Sequence, residues 1–263
     1  MSTNETQGRM PAVFVGHGSP MNTIEHNRFT EAWHQFGRSI PTPTAILAIS
    51  AHWYVRGTAV TTMATPRTIH DFGGFPDALF RVQYPAPGNP ELAAHVADLV
   101  SPTSVSADTG WGLDHGTWSI LAHMFPKADV PVVQLSIDAG MTFDQHIALG
   151  AALAPLRDEG VLVLGSGDIV HNLGVIDWKR PEGAYPWAQQ FDDAARQILT
   201  THPTELPTLR SNRHYRQAVP TPDHFIPALH IAGLADAAGT TADVVVAGTT
   251  FGSISMTSYV VRN

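Results

Sequence analysis

Four uninterrupted runs of apolar residues constrain the fold of this chain most strongly. They are PAVFVG (11–16), TAILAIS (44–50), VPVVQLSI (130–137) and VLVLGSG (161–167). Continuous apolar runs of this length are typical of strands that are buried on both faces, as in parallel sheets. The segments 58–63, 242–248 and 253–261 are further predicted strands, and the last two are expected to pair antiparallel at an edge.

Segments with helical periodicity lie between these strands. In NPELAAHVADLV (89–100), Asn89 is expected to be the N-cap and Pro90 the first helical residue. Further helices are predicted over 116–125, 142–156, 185–200 and 221–235. Strands that alternate with helices indicate an α/β fold. We therefore expect a single domain over 11–263, with a mainly parallel central sheet flanked by helices, after a flexible N-terminus at 1–10.

One connection, residues 64–88, fits neither pattern. Its sequence, ATPRTIHDFGGFPDALFRVQYPAPG, is rich in aromatic residues and interrupted by Gly and Pro. Long irregular loops in compact domains are often binding loops or lids. We expect this segment to contribute to a ligand site.

Composition narrows the classes of partner. The net charge of −8, without clustered Lys and Arg, argues against nucleic acid or an anionic membrane as a partner.

Only 14% of residues are charged, against roughly 25% in typical soluble domains, so a monomer with much hidden surface or a small homo-oligomer is expected. The N-terminus has no apolar signal region, and a cytoplasmic location is expected.

Histidine is unusually frequent, with 14 residues against 15 Lys plus Arg, whereas cysteine is absent. Any bound metal must therefore use nitrogen or oxygen ligands. Ligands of open α/β sheets bind beyond the carboxyl ends of the strands, where loops converge. Five histidines are expected to gather there, since three follow apolar strands and two begin helices: His17, His52, His171, His115 and His224.

The residues themselves leave the division of labour among these five open. Neutral imidazoles bind Zn, Fe, Ni and Cu, and three protein ligands with open positions make a catalytic site. The remaining imidazoles would be free to transfer protons near neutral pH. We expect a mononuclear, histidine-ligated metal site.

Seven motifs then resemble the 4,5-DOPA extradiol dioxygenase family, a branch of the LigB-like class III extradiol ring-cleavage enzymes. In chain order they are HGSPM (17–21), SAHW (50–53), DFGGFP (71–76), GLDHGTW (112–118), PVVQLSID (131–138), GSGDIVHNL (165–173) and TPDHFIP (221–227). The resemblance covers roughly residues 11–260. It implies a single α/β domain that cleaves a catechol beside its two hydroxyls, with O₂ as the second substrate.

The resemblance also implies residue roles. His17, His52 and His224 match the metal-ligand positions, while His171 and His115 match the catalytic ones. Whether His171 is the acid/base or a fourth neighbour of the metal is left open. Fe(II) is the metal expected for activity, and zinc is expected as an alternative occupant of purified protein. Four aromatic residues are the candidate walls of the substrate pocket: Trp53, Phe72, Phe75 and Trp118.

Two departures from the family pattern affect this interpretation. Ring-cleaving relatives use two histidines and one carboxylate, whereas His224 here stands in the third position, with Asp223 adjacent. Asp168 stands where an amide is expected, and its charge would favour protonated His171.

Asp114 is either a helix N-terminal charge or an orienting group for His115. A zinc-dependent hydrolase and a non-catalytic metal-binding protein on the same fold remain alternatives.

Overall fold

The computed structural model describes residues 9–262, in which eight strands form one sheet. The strands are β1 (Ala12–Gly16), β2 (Ala45–Val55), β3 (Thr58–Thr61), β4 (Val105–Asp108), β5 (Val132–Asp138), β6 (Val161–Gly167), β7 (Asp243–Val246) and β10 (Ser258–Val261). Their order across the sheet is β4-β3-β5-β2-β6-β1-β10-β7. A separate two-stranded hairpin pairs β8 (Thr249–Thr250) with β9 (Ile254–Ser255).

The centre of the sheet is parallel, as the apolar runs predict. Strands β5, β2, β6 and β1 pair in parallel, and every residue of β1 and β6 is buried. Antiparallel pairing is confined to the flanks, where β3 joins β5 on one side and β10 joins β1 and β7 on the other. The predicted antiparallel edge pair is thereby confirmed, although the segment 253–261 divides into β9 and β10.

The helices are α1 (Arg28–Ser39), α2 (Asp77–Phe80), α3 (Pro90–Leu99), α4 (His115–Met124), α5 (Phe143–Ala152), α6 (Pro155–Asp158), α7 (Pro186–Leu199), α8 (Tyr215–Ala218) and α9 (Ile226–Ala237), with 3-10 turns at Pro20–Thr23, Leu173–Val175 and Pro203–Ser211. The Asn89 side chain caps α3 by accepting from the Leu92 amide, with Pro90 in the first turn, as predicted. Helix α1 was not predicted.

Hydrophobic cores lie on both faces of the sheet, because alternate strand residues point to opposite sides. Phe14 and Leu47 pack on the face that carries α5, α7 and α9, whereas Val13 and Ile46 pack on the face that carries α1 and α4. The chain is thus a single α/β domain. None of the helices within residues 9–262 has the length and apolar character needed to span a membrane.

The two segments without predicted regular structure differ in how far the structure describes them. Of the N-terminus predicted to be flexible (1–10), residues 1–8 lie outside the described part of the chain, whereas Met10 is buried and its carbonyl accepts a hydrogen bond from Arg157 Nε at 2.7 Å. The connection 64–88 is largely irregular, with only α2 inside it. Tyr84 anchors it by donating to the Phe125 carbonyl at 2.9 Å.

Candidate metal centre

The five predicted histidines are brought to one end of the sheet by separate elements. His17 follows β1 directly, and His171 lies a few residues after β6. His52 lies inside β2, which runs further than predicted, past an irregularity in its pairing between Ile49 and Tyr54. His115 is the first residue of α4 and His224 precedes α9. The site therefore lies at the carboxyl end of the sheet as expected, although His52 lies within β2 and not beyond it.

The rings of the three predicted metal ligands lie close together. The Nε2 atoms of His17 and His52 are 3.1 Å apart. The ring centroid of His224 is 5.3 Å from that of His17 and 5.1 Å from that of His52. Imidazoles bound tetrahedrally through Nε2 at about 2.1 Å would have ring centres about 5 Å apart.

The other two imidazoles lie beside these three. The ring centroid of His115 is 3.9 Å from that of His52, and His171 stacks on His224 at 3.5 Å with an interplanar angle of 8°. Two groups of ligand atoms each lie within 4.8 Å of one another: one joins His17, His52 and His115, and the other joins His17, Asp168 and His224. The predicted ligand set is thus divided between two overlapping groups, with His17 in both.

Each of the three predicted ligands has its Nδ1 atom tied to an oxygen. His17 Nδ1 contacts Ser166 Oγ at 2.9 Å, and His52 Nδ1 contacts Asp71 Oδ2 at 3.1 Å. His224 Nδ1 contacts Asp223 Oδ2. A metal-binding histidine typically donates its second ring N–H to such a partner, which fixes the tautomer and the ring orientation.

The tautomer of His17 follows from its partner. Ser166 donates its single hydroxyl proton to the Gly116 carbonyl, so Ser166 must accept from Nδ1–H of His17. The Nε2 atom of His17 then carries a lone pair. Asp71 accepts from Nδ1–H of His52, which therefore has the same tautomer. The lone pairs on Nε2 of His17 and Nε2 of His52 thus face each other, with the two atoms 3.1 Å apart. Such a pair repels unless a cation or a proton lies between the two nitrogens.

Asp71 was not predicted to belong to the site. Its two carboxylate oxygens accept from His52 Nδ1 at 3.1 Å and from His115 Nδ1 at 2.9 Å. Although burial opposes ionisation, the hydrogen bonds from His115 and His52 hold the pKa of Asp71 well below its usual range. The motif DFGGFP contains this residue, but only the fold shows that the loop reaches back to β2 and α4.

Burial keeps most of the imidazoles neutral, which is the form that binds metal. It lowers the pKa of His17 well below 6.5, that of His224 to about 4 and that of His171 to about 2, with the neighbouring imidazoles adding to the effect. His52 differs: burial opposes its protonation, but the hydrogen bond to Asp71 and nearby carboxylates raise its pKa. One proton on His52 would therefore bridge to His17 when no metal does.

The donor set consequently fits a metal ion. His224 Nε2 and Asp168 Oδ2 are buried and have no hydrogen-bond partner within the described residues. Both atoms belong to one group with a ring nitrogen of His17, in which all ligand atoms lie within 4.8 Å of one another. Buried polar atoms are rarely left without partners, so a bound cation is the simplest group that would satisfy them.

A cavity of about 300 Å³ opens above these histidines. Phe72 and Phe75 line it, as predicted from the sequence. The opposite wall is formed by apolar residues that sequence analysis did not single out: Leu173, Ile176, Trp178, Phe251 and Ile254. Trp178 is 65% exposed, so this wall is also the mouth of the cavity. Within residues 9–262, no Lys or Arg lines the cavity.

The other two predicted wall residues lie behind the cavity. Trp53 is buried and stacks on Trp111 with the ring centroids 5.6 Å apart. Because neighbours in a strand point to opposite faces, Trp53 must point away from the site that His52 faces. Trp118 is fully buried, donates from Nε1 to the Ile69 carbonyl at 2.8 Å and packs behind Phe72.

Three carboxylates near the site have defined contacts. Asp114 is the N-cap of α4, accepting from the Thr117 amide, and His115 takes its orientation from Asp71 instead. Asp223 accepts from His224 Nδ1 and so orients the predicted ligand rather than replacing it. Asp168 faces His17, with Oδ2 3.5 Å from Nε2, and the expected protonation of His171 is not found.

Comparison with known proteins identifies the family. Residues 11–262 match the model of the catalytic LigB subunit of aromatic ring-opening dioxygenases. A 4,5-DOPA dioxygenase extradiol of Escherichia coli (strain K12) is 45% identical, with 95% of this chain and 94% of that protein covered. The protein of the same name from Beta vulgaris is 40% identical, with 83% and 84% covered.

A solved structure agrees with this assignment. The crystal structure of an uncharacterized protein from Escherichia coli K12 superimposes with a TM-score of 0.83 at 39% identity, covering 96% of this chain and all of that one. Sequence and fold agree over almost the whole length, and the histidine cluster lies within the matched range. The chain therefore belongs to the LigB family of extradiol ring-cleaving dioxygenases.

Proposed function

We propose that this protein uses Fe(II) and O₂ to open the ring of a small catechol, with DOPA as the first substrate to test. The observation that carries the proposal is the common arrangement of His17, His52 and His224, whose Nδ1 atoms are all tied to oxygens. Each ring is thereby held with Nε2 available to a shared ion. DOPA is suggested by the names of the relatives from Escherichia coli and Beta vulgaris.

His17, His52 and His224 would hold the metal. When bound, the ion would lower the pKa values of the catechol hydroxyls and provide the place where O₂ and the ring meet. The protein itself fixes the three rings through Ser166, Asp71 and Asp223. Because these partners are largely buried, little reorganisation is needed when substrate enters.

His171 is the proposed general base. Its ring lies against His224 and lines the cavity, so a catechol hydroxyl would come within its reach. Burial lowers its pKa, so the imidazole is neutral before the substrate enters. A neutral base that takes a hydroxyl proton becomes the acid that returns it at a later step.

His115 is the proposed orienting group for the reacting oxygens. Asp71 accepts from its Nδ1, and the backbone amide of His115 donates to the same Oδ1 at 2.9 Å. This double contact fixes the ring at the N-terminus of α4, beside the cavity. The apolar walls, with Phe72 and Phe75 on one side, exclude water and hold the flat ring of the substrate.

The direct test is anaerobic reconstitution with Fe(II), followed by O₂ and either DOPA or caffeate. A yellow ring-opened product, formed with one O₂ consumed per catechol, is expected. Hydrolysis that proceeds without O₂ in the zinc-loaded protein would point to the hydrolase alternative. Tight metal binding with no reaction of any catechol would favour the non-catalytic alternative and contradict the proposal.

A further inference from the structure

Asp168 is the one carboxylate inside the histidine cluster for which the family resemblance leads us to expect an amide. Its side chain is fully buried, and Oδ1 accepts a hydrogen bond from the Gly18 amide at 3.0 Å. The second oxygen, Oδ2, has no hydrogen-bond partner among the described residues and lies 3.5 Å from Nε2 of His17. One oxygen is thus used by the fold, and the other faces the candidate metal ligands.

The backbone around Asp168 holds the carboxylate in this position. The amide of Asp168 donates to the His224 carbonyl at 2.9 Å, so the end of β6 is tied to the chain that carries His224. Gly167 packs against the same carbonyl, where an added Cβ would lie 2.2 Å from its oxygen. The position of Asp168 relative to His17 and His224 is therefore set by the sheet and not by a mobile loop.

The distances suit a shared ion. Two ligands bound at about 2.1 Å lie about 3.0 Å apart at a right angle and about 3.4 Å apart at a tetrahedral angle. The separation of 3.5 Å between His17 Nε2 and Asp168 Oδ2 is close to the wider value. The ligand atoms of His17, Asp168 and His224 all lie within 4.8 Å of one another.

We infer that Asp168 Oδ2 is an oxygen ligand of the metal held by His17 and His224. A carboxylate would reduce the net charge of a three-histidine site by one and add the hard oxygen donor that Fe(II) oxygenase sites commonly contain. The carboxylate would come from Asp168, directly after the last residue of β6. The inference rests on the proposed metal site but concerns a ligand that this site does not require.

Metal binding provides a readout that is independent of catalysis. The substitution Asp168→Asn keeps an oxygen that can accept from the Gly18 amide and replaces Oδ2 with a group that cannot bind a cation. We would titrate metal-free protein with Co(II) against a competing chelator and record the visible absorption of the bound ion. The variant is expected to bind Co(II) at least ~10-fold more weakly, with a changed absorption spectrum.

Asp138→Asn is the matched control, because Asp138 also accepts from a backbone amide at the carboxyl end of a strand but does not line the cavity. It should leave Co(II) affinity and spectrum unchanged. If Asp168→Asn behaves like this control while His17→Ala loses Co(II), the metal site stands and Asp168 is not a ligand. If the unsubstituted protein binds no Co(II), the proposed metal site and the inference both fail.

Discussion

The rings of His171 and His224 stack face to face, with their centroids 3.5 Å apart and an interplanar angle of 8°. Because the two rings are stacked in parallel, their edges point the same way, and both residues line the same cavity. His224 is held by Asp223, whereas no hydrogen bond to the side chain of His171 is found among residues 9–262. This difference agrees with the proposed roles, in which His224 is a fixed ligand and His171 is a base that exchanges protons.

We expect His171→Ala to lower kcat by at least ~100-fold, because general acid–base groups contribute roughly that much or more. The metal content per protein should stay unchanged, since His171 would not be a ligand. Steady-state oxygen uptake and metal analysis check the two halves of this prediction. His95→Ala is the control, because His95 is an exposed residue that pairs with Glu159 away from the cavity. Loss of metal from His171→Ala would instead make His171 a ligand.

We expect Asp71→Asn to weaken metal binding by about 10- to 100-fold, the usual effect of losing a hydrogen-bond partner of a ligand. An amide can accept from only one of His52 and His115, and its NH₂ group would face the other Nδ1–H. The dissociation constant for Co(II) provides the measurement. Asp77→Asn, in the same loop but exposed, should bind Co(II) normally. Equal affinities for the two variants would show that Asp71 does not orient His52.

We expect Phe75→Ala to raise KM for a catechol by about 10-fold, because it removes an aromatic contact worth roughly 1.5 kcal/mol. The change in kcat should be smaller, since Phe75 contacts the ring and not the reacting oxygens. Trp53→Phe is the comparison, because Trp53 is buried behind the site and stacks on Trp111. A larger effect on KM from Trp53 than from Phe75 would contradict the observed walls of the cavity.

We expect metal-free protein to lose stability as the pH falls below 6.5, partly through His146 and His230. Their rings meet between α5 and α9, with Nδ1 of His146 3.3 Å from Nε2 of His230. Burial lowers the pKa of His146 to about 4 and that of His230 well below 6.5. Below pH 6.5 the unfolded chain binds protons that the folded chain does not, so the free energy of unfolding decreases until the folded pKa is reached.

His146→Asn tests this because an amide does not titrate. Each buried histidine should cost about 1 kcal/mol between pH 7.5 and 5.5. Urea denaturation at both pH values should therefore show a pH-dependent loss that is about 1 kcal/mol smaller in the variant. A packing defect caused by the substitution would lower the free energy of unfolding equally at both pH values. Identical pH dependence in the two proteins would exclude His146 as a contributor.

The sheet could be predicted because its central strands are continuous apolar runs, and α3 because Asn89 and Pro90 mark its start. Helix α1 was missed although Asn27 caps it and its buried residues Phe29, Trp33 and Phe36 have helical spacing. That signal was present in the sequence. The full length of β2, by contrast, has no signal in the sequence, because the irregularity between Ile49 and Tyr54 arises from pairing with β5.

The site likewise contains residues that could be predicted from the sequence and residues that could not. The histidines could be selected because strand ends and helix starts converge at one edge of an α/β sheet. The exclusion of Trp53 could also have been predicted, because it alternates with His52 in a strand. By contrast, the link from Asp71 to His52 and His115 depends on how the connection 64–88 folds back over the sheet. Loop placement of that kind is set by tertiary packing and leaves no local pattern.

The adjacency of Asp71 and Phe72 has a consequence for altering substrate range. Phe72 lies against His115, with the ring centroids 5.4 Å apart. Asp71, the residue immediately before Phe72, accepts hydrogen bonds from His52 and His115. Remodelling Phe72 to admit bulkier catechols would thus disturb the residue that secures two imidazoles. Library design should begin at Leu173 and Trp178 on the facing wall, where substitutions can broaden substrate selectivity without disturbing the histidines proposed to bind the metal.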